Sequence, residues 1–101
     1  MKDFFTARIE WISYENGGRR KIPPQGTRYC PLIQLYEKEQ CVEWSIDFNC
    51  PNFSETDLVI FSFLVEDAPT NLIELGEEYI VCEGSKKVAK IQVIEVKRVP
   101  D

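Results

Sequence analysis

The stretch 42-VEWSIDFN-49 decides how this chain folds. Val42, Trp44, Ile46 and Phe48 alternate with Glu43, Ser45, Asp47 and Asn49. A period of two puts one side-chain set on a core face and leaves the other in water. A helix would scatter the same apolar residues around its circumference. Trp44 falls on the inward parity, and the segment reads as a half-buried strand.

Working toward the N-terminus, Phe5, Ala7, Ile9 and Trp11 alternate with Thr6, Arg8 and Glu10, a second strand with one wet face that is expected to end near Tyr14. Asn16-Gly17-Gly18 then reads as a glycine hairpin, because both glycines tolerate positive φ. Pro23-Pro24 removes two backbone donors and favours a crossing loop over 22–27. Extended character resumes from Arg28 to Glu37, with Pro31 marking an edge or a bulge.

Toward the C-terminus, Cys50-Pro51 breaks the central strand and Ser54-Glu55-Thr56-Asp57 introduces 58-LVIFSFLV-65. Its period is ambiguous. Leu58, Phe61, Leu64 and Val65 would share one helical face, but the richness in Val, Ile and Phe favours a strand. Pro69 closes the next loop, Gly76-Glu77-Glu78 turns into 79-YIVCE-83, and Gly84-Ser85-Lys86 reverses the chain into Val88 to Val96. The mixed parities of that last strand point to a bulge or to burial on both faces. The pattern of short strands without a convincing helix favours an all-β closed barrel or compact sandwich.

The 101 residues, 44% apolar and 12% aromatic, amount to a single β-barrel domain spanning 1–101. No apolar run approaches the roughly 20 residues needed to cross a bilayer as a helix. The N-terminus has no secretory leader pattern, so a cytoplasmic protein is expected, with Cys30, Cys41, Cys50 and Cys82 reduced. A net charge of −5 repels nucleic acid at long range and argues against DNA binding, so any RNA contact has to rest on local patches. Two stand out: Arg19-Arg20-Lys21 with Arg28, and Lys86-Lys87. Lys97-Arg98 is a weaker third.

The chain contains no histidine, which removes the commonest general base and the commonest neutral metal ligand. The cysteines are 11, 9 and 32 residues apart, without the paired spacing of a zinc knuckle or redox motif. The adjacent carboxylates Glu66-Asp67 and Glu77-Glu78 read as solvated charges. No phosphate-loop spacing is present. The expectation is a non-enzyme without metal or cofactor, in which Tyr14 or Tyr29 beside the arginines offers either a structural ring or a stacking platform.

Four segments resemble the C-terminal β-barrel domain of the bacterial elongation factor Tu family: 7-ARIEWIS-13, 17-GGRRKIPPQGTRYCP-31, 57-DLVIFSFLV-65 and 77-EEYIVCEGSKKVAKIQVIEV-96. Gly17-Gly18-Arg19 followed by Gly26-x-Arg28-Tyr29-x-Pro31 carries most of the likeness. The resemblance implies a six-stranded antiparallel barrel. It also implies a translation-related role, since in the full factor this domain meets the GTPase domain, the T stem of aminoacyl-tRNA and partner proteins. Glu83 and Gly84 resemble the turn that approaches the T stem. Arg20 stands where a histidine is common, and Ser85-Lys86-Lys87 replaces a glycine-arginine-threonine sequence.

The likeness covers one barrel alone, so GTP chemistry is not implied. The expected function is a protein-interaction module. The alternative is an RNA- or tRNA-binding module working through Arg19, Arg20, Lys21, Arg28, Tyr29, Glu83, Gly84, Lys86 and Lys87.

Overall fold

The computed structural model describes residues 2–98. Its strands are β1 (Phe4–Trp11), β2 (Leu32–Glu37), β3 (Gln40–Phe48), β4 (Leu58–Phe63), β5 (Glu78–Glu83) and β6 (Lys86–Lys97). All pairings are antiparallel, and the order β1-β4-β3-β2-β5-β6 closes on itself as a six-stranded barrel. Closure gives each strand a neighbour on both sides, which is how a small all-β chain limits exposed edges.

The alternating residues fill the interior. Phe5, Ala7 and Ile9 point inward from β1, Ile33 and Leu35 from β2, Ile46 and Phe48 from β3, and Val59, Phe61 and Phe63 from β4. Leu58 and Ile60 are exposed, so the ambiguous apolar run is a strand with an inner and an outer face. The mixed parity of β6 comes from bulges. Val81 pairs with Ala89 and Cys82 with Lys87, which leaves Val88 as an extra residue. Thr6 pairs with Glu95 and Ala7 with Val93, which leaves Ile94 as another. Each extra residue bends the strand and re-aims its side chains, so Val88 and Ala89 are both buried.

Two expectations need correction. Asn16-Gly17-Gly18 is not a β-hairpin: β1 pairs with β4 and β6, and residues 12–31 cross an end of the barrel to reach β2. The strand ends at Trp11 rather than near Tyr14. The chain then makes a 3-10 turn, Tyr14–Asn16, in which the amides of Asn16 and Gly18 both donate to the Ser13 carbonyl at 3.0 and 2.9 Å. The regular part of β2 likewise begins at Leu32, not Arg28, because Pro31 has no N–H for the ladder. Tyr29 still bridges Phe48, whose amide donates to the Tyr29 carbonyl at 2.9 Å.

The topology gathers the loops at two ends. One end carries 12–31, the β3–β4 connection and the β5–β6 hairpin. The other carries the β2–β3 turn and the long β4–β5 connection, with its 3-10 turn Thr70–Leu72 and its buried Ala68 and Ile73. Among the described residues, no helix is long and apolar enough to cross a membrane.

Candidate functional site

The first end brings together two basic segments that lie far apart in sequence. Arg19, Arg20 and Lys21 from the crossing loop and Lys86 from the β5–β6 hairpin line one shallow depression of about 320 Å³, with Glu83 among them. Gly84 sits at φ +60° in the turn between paired Glu83 and Lys86. Positive φ at the first central position of a two-residue hairpin is what glycine supplies.

Glu83 organises this end. Its carboxylate accepts hydrogen bonds from the Arg19 guanidinium and from the Tyr29 hydroxyl, and Arg19 and Glu83 keep only 29% and 33% of their side-chain surface exposed. Arg19 also donates through Nε to the Lys21 carbonyl at 2.8 Å and lies over the Tyr29 ring, 5.0 Å from its centroid. Phe48 is stacked on Tyr29 at 6.1 Å and 11°. Trp11 is tilted against Tyr29 at 6.2 Å and meets Phe53 edge-on at 5.3 Å. Tyr29 is therefore a half-buried structural ring. Arg19 and Phe48 lie against it, and its hydroxyl is tied to Glu83.

The remaining expected residues separate. Arg20 is exposed; its Nη2 donates to the Tyr14 hydroxyl at 3.0 Å and its guanidinium lies 4.8 Å from the Tyr14 centroid. Lys21 and Lys86 are exposed. Arg28 reaches elsewhere, 3.9 Å from Asp47 on the outer face of β3. Lys87, opposite Cys82 in the register, does not line the depression. The sequence marks two separate basic segments, and the fold decides what each residue does: Arg19 is spent on Glu83, while Arg20, Lys21 and Lys86 face solvent.

The thiols are free. Burial pushes Cys50 up, and the nearby Arg19 charge does not offset it; burial and Glu43 push Cys82 up. Neither is a poised thiolate at neutral pH. Among the described residues, no group of three His, Cys, Asp or Glu side chains is placed to hold a metal ion.

The central carboxylate gives the fold a pH signature. Burial alone would raise the Glu83 pKa, but hydrogen bonds from Tyr29 and Arg19 outweigh it and hold the group below its ordinary value. A carboxylate depressed on folding stabilises the native state above its unfolded pKa and loses that contribution as pH falls through the folded value. Tyr29 shifts upward, through burial first and then its bond to Glu83. Its contribution is present below the ordinary tyrosine value and is lost as pH rises beyond it. Urea midpoints measured against pH should therefore fall below the usual carboxylate range and again above the usual tyrosine range. Glu83→Gln should flatten the acid limb, and Tyr29→Phe the alkaline one. Unchanged limbs would contradict this assignment.

No protein-family model matches the chain, and no curated protein matches it either.

Proposed function

We propose that this barrel is a non-catalytic interaction module, related in design to the C-terminal barrel of elongation factor Tu, which binds an acidic surface of a partner protein through Arg20, Lys21 and Lys86. The observation that carries this reading is the convergence of the crossing loop and the β5–β6 hairpin on one open depression. Arg19 and Glu83 neutralise each other at its base, leaving the outer cations to a partner. Exposed Tyr14 and Ile22, at 55% and 48%, lie beside those cations in the loop. A mixed apolar and basic rim of this kind suits a protein surface.

The same convergence supports a second reading, contact with the phosphate backbone of RNA, because the two basic turns share a face. The aromatic arrangement favours protein over single-stranded RNA. Tyr29 is half-buried under Arg19, and Arg20 already lies over Tyr14, which leaves bases fewer open ring faces than sequence-tolerant stacking uses.

Affinity capture from native extract, with and without nuclease, separates the two readings. The wild-type chain should retain a partner after nuclease treatment. The triple substitution Arg20→Glu, Lys21→Glu and Lys86→Glu should weaken that capture by about tenfold or more, since three exposed pairs become repulsive. Loss of the captured material on nuclease treatment would select RNA. Equal capture by the triple variant would remove the basic face from both readings.

A further inference from the structure

One wall of the barrel is apolar on its wet side. Phe4 on β1, Leu58 and Ile60 on β4 and the bulged Ile94 on β6 are all exposed, at 45%, 38%, 46% and 39%, and the register gathers them. Phe5↔Phe61 sets Phe4 beside Ser62, Thr6 pairs with Ile60 on one side and Glu95 on the other, and Arg8 pairs with Leu58. Tyr36 stands on β2, while Tyr14, Ile22, Val65 and Leu75 are spread over the connections. Scattered exposed apolar residues are ordinary, whereas a gathered patch marks a contact surface.

The patch has a hole as well as a knob. A depression of about 240 Å³ opens beside the Phe4 ring, lined by Ile60, Ser62, Asp47 and Asn49. Charges stand on the two margins in opposite order. Asp47 pairs with Ser62 and Phe4 with Lys97, so one row across the wall runs from Asp47 through Ser62 and Phe4 to Lys97. The Tyr29↔Phe48 bridge places Arg28 beside Asn49, whose amide donates to the Ile60 carbonyl at 2.9 Å. The next row therefore runs from Arg28 through Ile60 and Thr6 to Glu95. Arg28 lies 3.9 Å from Asp47 and keeps 73% of its side-chain surface exposed. The Thr6 hydroxyl donates to Glu95 at 3.3 Å.

We propose that this wall is the face on which two copies of the chain pair, about a two-fold axis that runs parallel to β1 and β4 and between them. Such an axis turns each row end for end. Asp47 then meets the partner's Lys97 and Arg28 meets the partner's Glu95, each contact made twice. The Phe4 ring lands over the partner's Ser62 and fills the depression beside it. A two-fold contact requires a patch that complements itself, and the reversed charge order of the two rows supplies that. It also selects the occupant: an acidic partner would leave Asp47 and Glu95 unmatched, and a basic one Lys97 and Arg28. These four charges sum to zero, so the contact is neutral although each copy carries −5. The barrel curves away at the margins, and the long Lys97 and Arg28 side chains reach across that gap. Arg20, Lys21 and Lys86 take no part, which keeps this contact independent of the basic end.

Sedimentation velocity of the full chain over roughly 1–300 µM should show a monomer–dimer equilibrium in the micromolar range, as suits a contact of modest area. Phe4→Asp should weaken pairing about tenfold or more, and Ile60→Lys carries the same test should that variant fail to fold. Asp47→Lys and Lys97→Glu each set like charges against each other at both margins and should each weaken pairing about tenfold. Mixing these two variants in equal amounts should restore the dimer, because both ion pairs re-form in a pair that holds one copy of each. An unfolded variant could not recover in this way, so the mixture reports the contact itself. The proposal is overturned if the chain stays monomeric across that range, if it forms assemblies larger than two, if the apolar substitutions leave association unchanged, or if the mixture dimerises no better than its components.

Discussion

Phe61→Ala is expected to cost about 3–5 kcal/mol of folding stability. Phe61 is 1% exposed on the inner face of β4, stacked on Phe5 at 5.2 Å and 29°, and edge-on to Phe48 at 5.7 Å and 62°. Truncation removes a large buried apolar surface and leaves a hole that strands tied on both sides cannot collapse into. A domain of this size has a total stability of only about 5–15 kcal/mol, so the variant should sit close to its unfolding threshold at room temperature. Urea denaturation followed by tryptophan fluorescence would show a lower midpoint at an unchanged slope. Phe61→Leu, which refills most of the volume, should cost less than about 1.5 kcal/mol. A loss below about 1 kcal/mol for the alanine variant would mean that Phe61 is not a central core residue. The effect also reaches the basic end: Phe48 packs on Tyr29, and Tyr29 lies under Arg19. Loosening Phe61 should therefore perturb the Arg19–Glu83 pair.

What the chain reveals before folding follows from the range of each signal. Alternation over 42–48 and 5–11 is a local consequence of a sheet with one wet face, and the strands appear where the alternation does. The run from Leu58 was ambiguous because a short apolar segment satisfies both periods; closure against β1 and β3 decides it, placing Val59, Phe61 and Phe63 inside. The β2–β3 turn carries no glycine, although Lys38 and Glu39 both adopt positive φ, at 52° and 68°, so composition alone does not mark it. The basic residues of the site were legible as charges, but the fate of each depends on register. β5 delivers Glu83 to Arg19 and Tyr29 from 64 and 54 residues away, and β3 delivers Asp47 to Arg28.

The misread hairpin leads to the second large effect. Gly17 and Gly18 look interchangeable in sequence and serve different physical needs. Gly17 has φ +94° and open space around its missing side chain, so Gly17→Ala meets backbone strain alone, about 1–2 kcal/mol. Gly18 is buried, and a Cβ there would lie 1.8 Å from the Ile12 carbonyl oxygen and 2.6 Å from its carbon. Both atoms belong to the backbone just beyond β1, where the Ile12 amide donates to Val88 at 2.9 Å, so neither can swing aside as a flexible side chain would. Gly18→Ala must displace the crossing loop, break the Gly18 bond to Ser13, or pull Ile12 from β6, at a cost of about 3 kcal/mol. The loop is the cheapest to move because it carries the fewest ladder bonds. Gly18→Ala should therefore release Arg19 from Glu83 and disperse Arg20 and Lys21, while β2 to β6 keep their pairing. Two measurements on the Gly18 and Gly17 variants test this: the urea midpoint and the amide exchange of residues 12–31. The expected result is a larger midpoint loss for Gly18→Ala with exchange confined to that segment. Equal losses for the two glycines would show that the close approach to Ile12 does not constrain the loop.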